Sequence, residues 1–234
     1  MPKTSLIILT RNEITGLTKI FNKIPRDKID ECFCVDFNST DGTKKFLKKK
    51  NIKIIEQKKP GRSEAFRIGA SIAKGDILIF FSPDGNENPS DIPILIKKIH
   101  DGADLVIASR FVKGARNEED DQFIKARKWA NQFFTFAANI IWKGKVTDSI
   151  NGYRAIKKSV FNKLSLDAEG FAIEYQMTIR ALKLKLKIVE IPTQEGNRIG
   201  GKSGAIALPT GIRFLYYLTR EIIIGKNFKF IKTI

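Results

Sequence analysis

Five short, β-branched apolar runs recur at Leu6 to Leu9, Cys32 to Val35, Ile52 to Ile55, Ile77 to Phe81 and Leu105 to Ala108, separated by stretches with helical character. This rhythm is the strongest constraint on the fold. Runs that are continuously apolar, instead of alternating with polar residues, suit strands covered by helices on both faces, and so predict an α/β chain with a mainly parallel central sheet flanked by helices. Helix-start signals in the connections agree: Thr40-Asp41-Gly42-Thr43, Ser63-Glu64 and Pro89-Ser90-Asp91. With 234 residues and 42% hydrophobic content, the chain is long enough to bury about 70 to 75% of its unfolded surface around one core. After Ser109 the rhythm changes to a long aromatic helix from Phe123 to Trp142, a strand through Tyr153 to Ile156, a helix from Ala172 to Leu184, and a strand from Lys187 to Ile191. Then come a polar glycine-rich stretch, Gln194 to Gly204, and an amphipathic basic tail; the expected division is residues 1–204 as the folded domain and 205–234 as a C-terminal segment.

Parallel α/β sheets bind ligands beyond the carboxyl ends of their strands. Here those ends carry Thr10-Arg11-Asn12-Glu13, Asp36-Phe37-Asn38-Ser39, Lys59-Pro60-Gly61-Arg62, Ser82-Pro83-Asp84-Gly85-Asn86 and Ser109-Arg110. One rim thus gathers carboxylates, amides and arginines. No Gly-x-Gly-x-x-Gly follows the first strand and no Gly-x-x-x-x-Gly-Lys-Ser/Thr occurs, which argues against a dinucleotide-dependent oxidoreductase and a P-loop enzyme. Asp84, following an apolar strand and preceding Gly85, is placed to offer a carboxylate to Mg²⁺ or Mn²⁺, with Asn86 as a neutral oxygen ligand.

Forty-two Lys and Arg against 25 Asp and Glu leave a net charge of +17, which favours an anionic partner: a diphosphate, a lipid phosphate, an anionic membrane or nucleic acid. No helix-turn-helix, zinc-finger or RNA-reading motif accompanies the charge, so specific nucleic-acid binding is the weaker alternative. Cys32 and Cys34 are expected on opposite faces of one strand as core fillers; with no other cysteine and only His100, neither a disulfide framework nor a Cys/His zinc site is expected, and a reducing, cytoplasmic setting fits. The tail from Ala205 to Ile224 is interrupted by Pro209, Arg213, Arg220 and Glu221, so it is read as an interfacial or packed helix and not a span of about 20 apolar residues.

Taken in order, Thr-Arg-Asn-Glu at 10 to 13, Val-Asp-Phe-Asn-Ser-Thr-Asp-Gly-Thr at 35 to 43, Ala-Lys-Gly-Asp at 73 to 76 and Ser-Arg-Phe at 109 to 111 resemble the family 2 glycosyltransferases of the GT-A fold, near the dolichyl- and polyprenyl-phosphate sugar transferases. Asp148-Ser-Ile-Asn-Gly-Tyr-Arg-Ala155 resembles the family's Asp-x-x-Ser-Gly-Phe-Arg-Ala, and Arg198-Ile-Gly-Gly-Lys202-Ser203 its Arg-x-x-Gly-x-Ser-Lys loop with the last two residues exchanged. The resemblance implies a UDP- or GDP-sugar donor, a polyprenyl-phosphate or a glycan or lipid hydroxyl acceptor, transfer with inversion, and peripheral contact with the cytoplasmic membrane face. It implies donor contacts from Thr10, Arg11, Asn12, Glu13, Asp36, Gly61, Arg62, Asp84 and Arg110, and acceptor or phosphate contacts from Arg127, Asn131, Arg198, Lys202 and Ser203. Asp148 is the expected base or acceptor orienter. Two departures remove negative charge: Ser82 replaces the first Asp of Asp-x-Asp and Phe37 the second of Val-Asp-Asp, so a divalent ion is expected to bind weakly unless it arrives with the donor. A nucleotidyltransferase using the same crevice is the other enzymatic alternative.

Overall fold

The computed structural model describes residues 2–122, 125–200 and 207–230. Seven strands, β1 (Thr4–Thr10), β2 (Glu31–Asp36), β3 (Lys53–Glu56), β4 (Ile77–Phe81), β5 (Leu105–Ser109), β6 (Arg154–Lys157) and β7 (Ile188–Pro192), form one sheet in the order β3-β2-β1-β4-β6-β5-β7. Every apolar run read from sequence is a strand, and β1 pairs in parallel with both β2 and β4. β1 is buried along its whole length. Its alternate residues serve two cores: Leu6 and Ile8 pack with Phe81, Leu95 and Val106 on one face, while Ile7 and Leu9 pack with Phe66, Phe80 and Met177 on the other, as the two-residue period of a strand requires. The same period corrects the placement of the cysteines. Cys32 and Cys34, two residues apart, share a face and pack in the first core, and burial pushes their thiols up to about 11 and about 12, leaving them inert.

Helices α1 (Ile14–Ile20), α2 (Thr43–Lys49), α3 (Arg62–Ile72) and α4 (Ile92–His100) make the connections between β1 and β5. Beyond them lie α5 (Ala126–Trp142), α6 (Lys158–Leu164), α7 (Ala172–Lys183) and α8 (Ala207–Ile224). The strand read through Tyr153 to Ile156 forms as β6, but its place has no local signature: it enters antiparallel between β4 and β5, with Arg154 opposite both Phe80 and Ile107. This return brings the loop at 148–153 to the same rim as the ends of β1, β2 and β4.

α5 and α8 lie against α7 around a third cluster, in which Phe134 contacts Tyr175 and Phe214 edge-on or tilted and Tyr217 and Leu218 are buried. Glu221 of α8 is completely buried, accepting from Arg180 Nε at 2.9 Å and Lys183 Nζ at 2.6 Å. The amphipathic tail is therefore packed on the domain along one side while its other side stays open. Among the described residues no helix is long and apolar enough to cross a membrane.

Candidate active site

The carboxyl ends of the strands open into a cavity of about 1380 Å³. Thr10, Arg11, Asn12, Glu13, Gly61, Arg62, Asp84, Asn86, Arg127 and Arg198 line it, so most of the residues singled out from sequence meet in one place. Close packing of backbone makes this convergence possible. A Cβ on Gly16 would overlap the carbonyl oxygen of Pro83, and one on Gly196 that of Gly85, so only glycine lets α1 and the 194–199 loop settle on the Asp84 turn. Ile199 N–H donates to Asp84 O at 2.6 Å and Gly196 N–H to Asn86 O at 3.0 Å.

Asp36 is not among the residues that line the cavity. It is fully buried, and its carboxylate accepts from the hydroxyls of Thr10 and Ser39 and from Ser39 N–H. With these bonds it fastens the ends of β1 and β2 together, since a buried carboxylate must fill its lone pairs internally. The tie continues as Asn12 N–H donates to Ser39 Oγ at 2.8 Å, and Thr40 N–H to Asn12 Oδ1 at 2.8 Å, with Asn12 held at φ 59°. Phe37 lines the cavity with the Arg11 guanidinium 5.2 Å from its ring centre, giving a flat face where the family pattern has a charge.

At the floor, Arg198 bridges two carboxylates, Nη1 to Asp84 Oδ2 at 2.6 Å and Nη2 to Glu13 Oε1 at 2.8 Å, and its Nε is buried without a partner. Burial raises the Asp84 carboxyl against the pull of Arg198, and burial likewise raises Glu13 to about 7. Glu87, unremarked in the sequence, is a third acid here: it accepts Ser82 N–H at 2.7 Å and lies 3.9 Å from Arg62. Burial, aided by Asp84, pushes Glu87 up to about 8. Because the folded state then holds a proton that the unfolded chain releases, this group's contribution to stability declines as pH rises from about 4.5 to about 8. Replacing Glu87 by Gln, which keeps the acceptor without the charge, should widen the melting-temperature difference in the variant's favour across that interval. Thermal unfolding of both proteins at several pH values checks it, and a difference constant with pH would refute the raised carboxyl.

Arg62 is held by Glu174 of α7 and by Ser82 Oγ at 2.9 Å, so the arginine stands where a first acidic residue of Asp-x-Asp would have met it. Gly152 leaves the space, as a Cβ there would strike the Arg62 guanidinium. The second oxygen of Glu174 is buried and unpaired. Arg110 and Asp148 depart from expectation together. Asp148 is fully buried; Arg110 meets it through Nε at 2.7 Å and Nη2 at 3.0 Å, and the N–H groups of Arg110 and Asn151 donate to it at 3.2 and 3.0 Å. The pair with Arg110 outweighs burial and holds the carboxyl below its ordinary value. A carboxylate so stabilised and enclosed is a poor base, and Arg110, also 3.5 Å from Glu195, has its charge spent inside the protein. Arg127 stays half exposed at the cavity edge, 3.8 Å from Glu118. Asn131, one helical turn on, is not among the cavity-lining residues, and Lys202 and Ser203 lie outside the described residues.

The donor set bears on a divalent ion. Asp84 Oδ1 accepts Asn86 N–H at 3.1 Å, and the Asn86 side-chain nitrogen donates to Glu118 and to the carbonyl of Gly196. Among the described residues no group of three or more His, Cys, Asp or Glu is arranged to hold a metal. A Mg²⁺ ion takes about six oxygen ligands, so these residues fit an ion held by Asp84 together with diphosphate and water, and do not fit an all-protein cage.

Several lining residues carried no signal in sequence. Glu87 follows the Asp84 turn by three residues, a nearness that offers the only local hint. Glu169 and Phe171 come from the α7 entrance, and Thr210 and Arg213 from α8; nothing but the tertiary fold assembles them.

The pattern of Glycosyl transferase family 2 matches residues 5–165. The chain is 30% identical over 217 residues to a dolichol-phosphate mannosyltransferase of Pyrococcus furiosus, covering 86% of this chain and 58% of that protein. It is 29% identical to an undecaprenyl-phosphate mannosyltransferase of Micrococcus luteus, covering 84% and 85%, and 30% identical to a UDP-N-acetylglucosamine--dolichyl-phosphate N-acetylglucosaminyltransferase of Methanococcus voltae, covering 80% and 83%. Among solved structures, glucosyl-3-phosphoglycerate synthase from Mycobacterium tuberculosis, in complex with Mn²⁺, UDP and glucosyl-3-phosphoglycerate, superposes with a TM-score of 0.68 at 20% identity, over 96% of this chain and 78% of that one; the likeness is one of fold. With the family pattern over more than half its length and the expected GT-A arrangement of the sheet, the chain belongs to glycosyl transferase family 2.

Proposed function

We propose that this chain moves a hexose or N-acetylhexosamine, with inversion, from a UDP- or GDP-sugar to a polyprenyl phosphate. The observation that carries the reading is the single cleft in which the Thr10–Glu13 loop, the Asp84 turn and the Arg198 loop meet. In this reading the base lies by Phe37 and Arg11, and the diphosphate meets Asp84 and a divalent ion. Such an ion supplies charge neutralisation on the departing diphosphate. Arg198 turns from Asp84 and Glu13 to the same charge, and Arg62 holds the floor beneath it. Arg127, Asn131, Lys202 and Ser203 are the proposed acceptor side.

Two considerations favour a phosphate acceptor over a hydroxyl. The relatives are named for polyprenol- and dolichol-type acceptors. A phosphate oxygen is already anionic and attacks without a general base, whereas Asp148, the carboxylate expected to serve a hydroxyl, is enclosed in its pair with Arg110. Relatives of similar identity are named for mannose and for N-acetylglucosamine, in keeping with a hexose or N-acetylhexosamine carried on UDP or GDP. Work at a lipid acceptor agrees with peripheral attachment at the cytoplasmic membrane face.

A thermal-shift panel of UDP-, GDP- and their sugar conjugates, each with and without Mn²⁺, tests the donor. At about 100-fold excess over Kd a true ligand stabilises by about 2.7 kcal/mol, a shift of several degrees for a chain of this size. One base is expected to shift the transition clearly more than the other. No shift with either removes the reading, and release of pyrophosphate instead of nucleoside diphosphate would assign the cleft to nucleotidyl transfer.

A further inference from the structure

Large apolar side chains left in solvent are concentrated on two helices. On α5, Trp129, Phe133 and Phe136 are 57%, 60% and 63% exposed; on α8, Ile212, Leu215 and Ile223 are 62%, 55% and 78% exposed. Their spacing by three, four and eight or so residues makes each set a stripe along one helical side. The opposite sides of the same helices are buried together: Phe134 and Phe214 meet at 5.3 Å and both pack against α7. Two helices side by side on a common support turn their outer stripes the same way. An apolar face this continuous is uncommon on a chain that meets only water.

The exposed charge carried by the two helices themselves has one sign, although Arg127 and Lys128 lie beside Glu118 and Asp120 and Arg220 pairs with Asp167. α5 contains no acidic residue, and the single acid of α8, Glu221, is buried in its pairs with Arg180 and Lys183. The helix N-terminal ends bring Arg127 and Arg213 to the mouth of the large cavity. Their C-terminal ends border a second cavity, of about 750 Å³, lined by Lys143, Lys145, Lys185 and Lys226. Its one carboxylate, Glu190, is occupied by the N–H groups of Thr147 and Asp148. A second copy of the chain is a poor occupant, because both ends of the face are basic and either orientation of a twofold pair would set like charges together.

We propose that the α5–α8 face docks on an anionic lipid bilayer, with the apolar stripes in the interface, the lysine cleft receiving phosphate-bearing headgroups, and the cavity mouth opening at the membrane plane. The purpose of this docking rests on the lipid-phosphate reading of the acceptor; its physical basis is independent of it. Basic side chains beside an apolar stripe are what an interfacial helix needs for anionic lipid, each lysine adding electrostatic attraction and each aromatic side chain burying area in the headgroup region.

The test uses the full chain and vesicles of phosphatidylcholine with and without phosphatidylglycerol. The sequence has 2 tryptophans, so Trp142→Phe leaves Trp129 as the sole reporter, and its emission should shift to the blue only with the anionic vesicles. In flotation, Phe133→Asp combined with Ile223→Asp should weaken binding about tenfold or more, and Lys143→Ala, Lys145→Ala and Lys226→Ala about fivefold each at low salt. Nucleotide-induced thermal shifts should be unchanged in all of these variants, which also shows that they are folded. Docking is overturned if the chain binds nucleotide yet floats with neither vesicle, or if Trp129 does not respond and the Asp substitutions instead convert a dimer to a monomer. Vesicle binding that follows these substitutions in a chain giving no nucleotide shift would uphold docking and remove the donor reading alone.

Discussion

Asp84→Asn is expected to lower sugar transfer by about 10² to 10³-fold, the range seen when one preorganised electrostatic group at a reacting centre is removed. Asp84 is the only carboxylate of its motif, since Ser82 stands at the other acidic position, and its Oδ2 is held against Arg198. The substitution keeps size and turn geometry, and Glu13 still holds Arg198 at 2.8 Å, so folding should survive. The split between parameters is informative. Without metal, losing a negative charge beside the diphosphate should leave nucleotide affinity equal or higher, whereas the increment contributed by Mn²⁺ should vanish. Steady-state transfer assays and nucleotide titrations with and without Mn²⁺ measure both. A fully active variant would overturn the role of Asp84, and a loss seen only in thermal stability would make it a structural residue.

Glu221→Ala is expected to cost about 3 to 5 kcal/mol of stability, because it leaves Lys183 buried without its counter-charge and the buried Arg180 with Asp167 alone. Arg180 is completely buried and Lys183 nearly so, and Glu221 is the acid that both reach, Arg180 being shared with Asp167 at 2.7 Å. For a chain of this length that corresponds to a fall in melting temperature of roughly 10 °C. The combined replacement Arg180→Met, Lys183→Met and Glu221→Leu should recover much of the loss, since exchanging a whole buried ion cluster for apolar side chains is often neutral. Urea or thermal unfolding of the three proteins decides the matter; a single variant as stable as the parent would mean that α8 is not anchored through this cluster. The result also bears on the active site, because α8 brings Thr210 and Arg213 to the cavity wall.

Local pattern was enough to read the strands, their covering on both faces and the polar rim beyond them. An apolar run reports its own burial through its composition, and strand ends in a parallel sheet fall on one side by topology, so Thr10 to Glu13, Gly61, Arg62 and Asp84 could be gathered before any coordinates. The same reasoning could not read how Asp36 and Asp148 are enclosed. A carboxylate at a strand end looks identical in sequence whether it faces a ligand or is enclosed by hydroxyls, backbone N–H groups and an arginine 38 residues away, and the partners alone decide its charge and reach.

Each segment's type, and the side of the sheet on which its chemistry lies, were therefore legible locally. The insertion of β6 between β4 and β5, the meeting of Arg62 with Glu174 across 112 positions, and the bridge from Arg198 to Asp84 across 114 came from the assembled fold. Secondary structure follows from periods of two and 3.6 residues that a short window contains, whereas ion pairs between distant segments depend on how the whole sheet is ordered, which no window of sequence records.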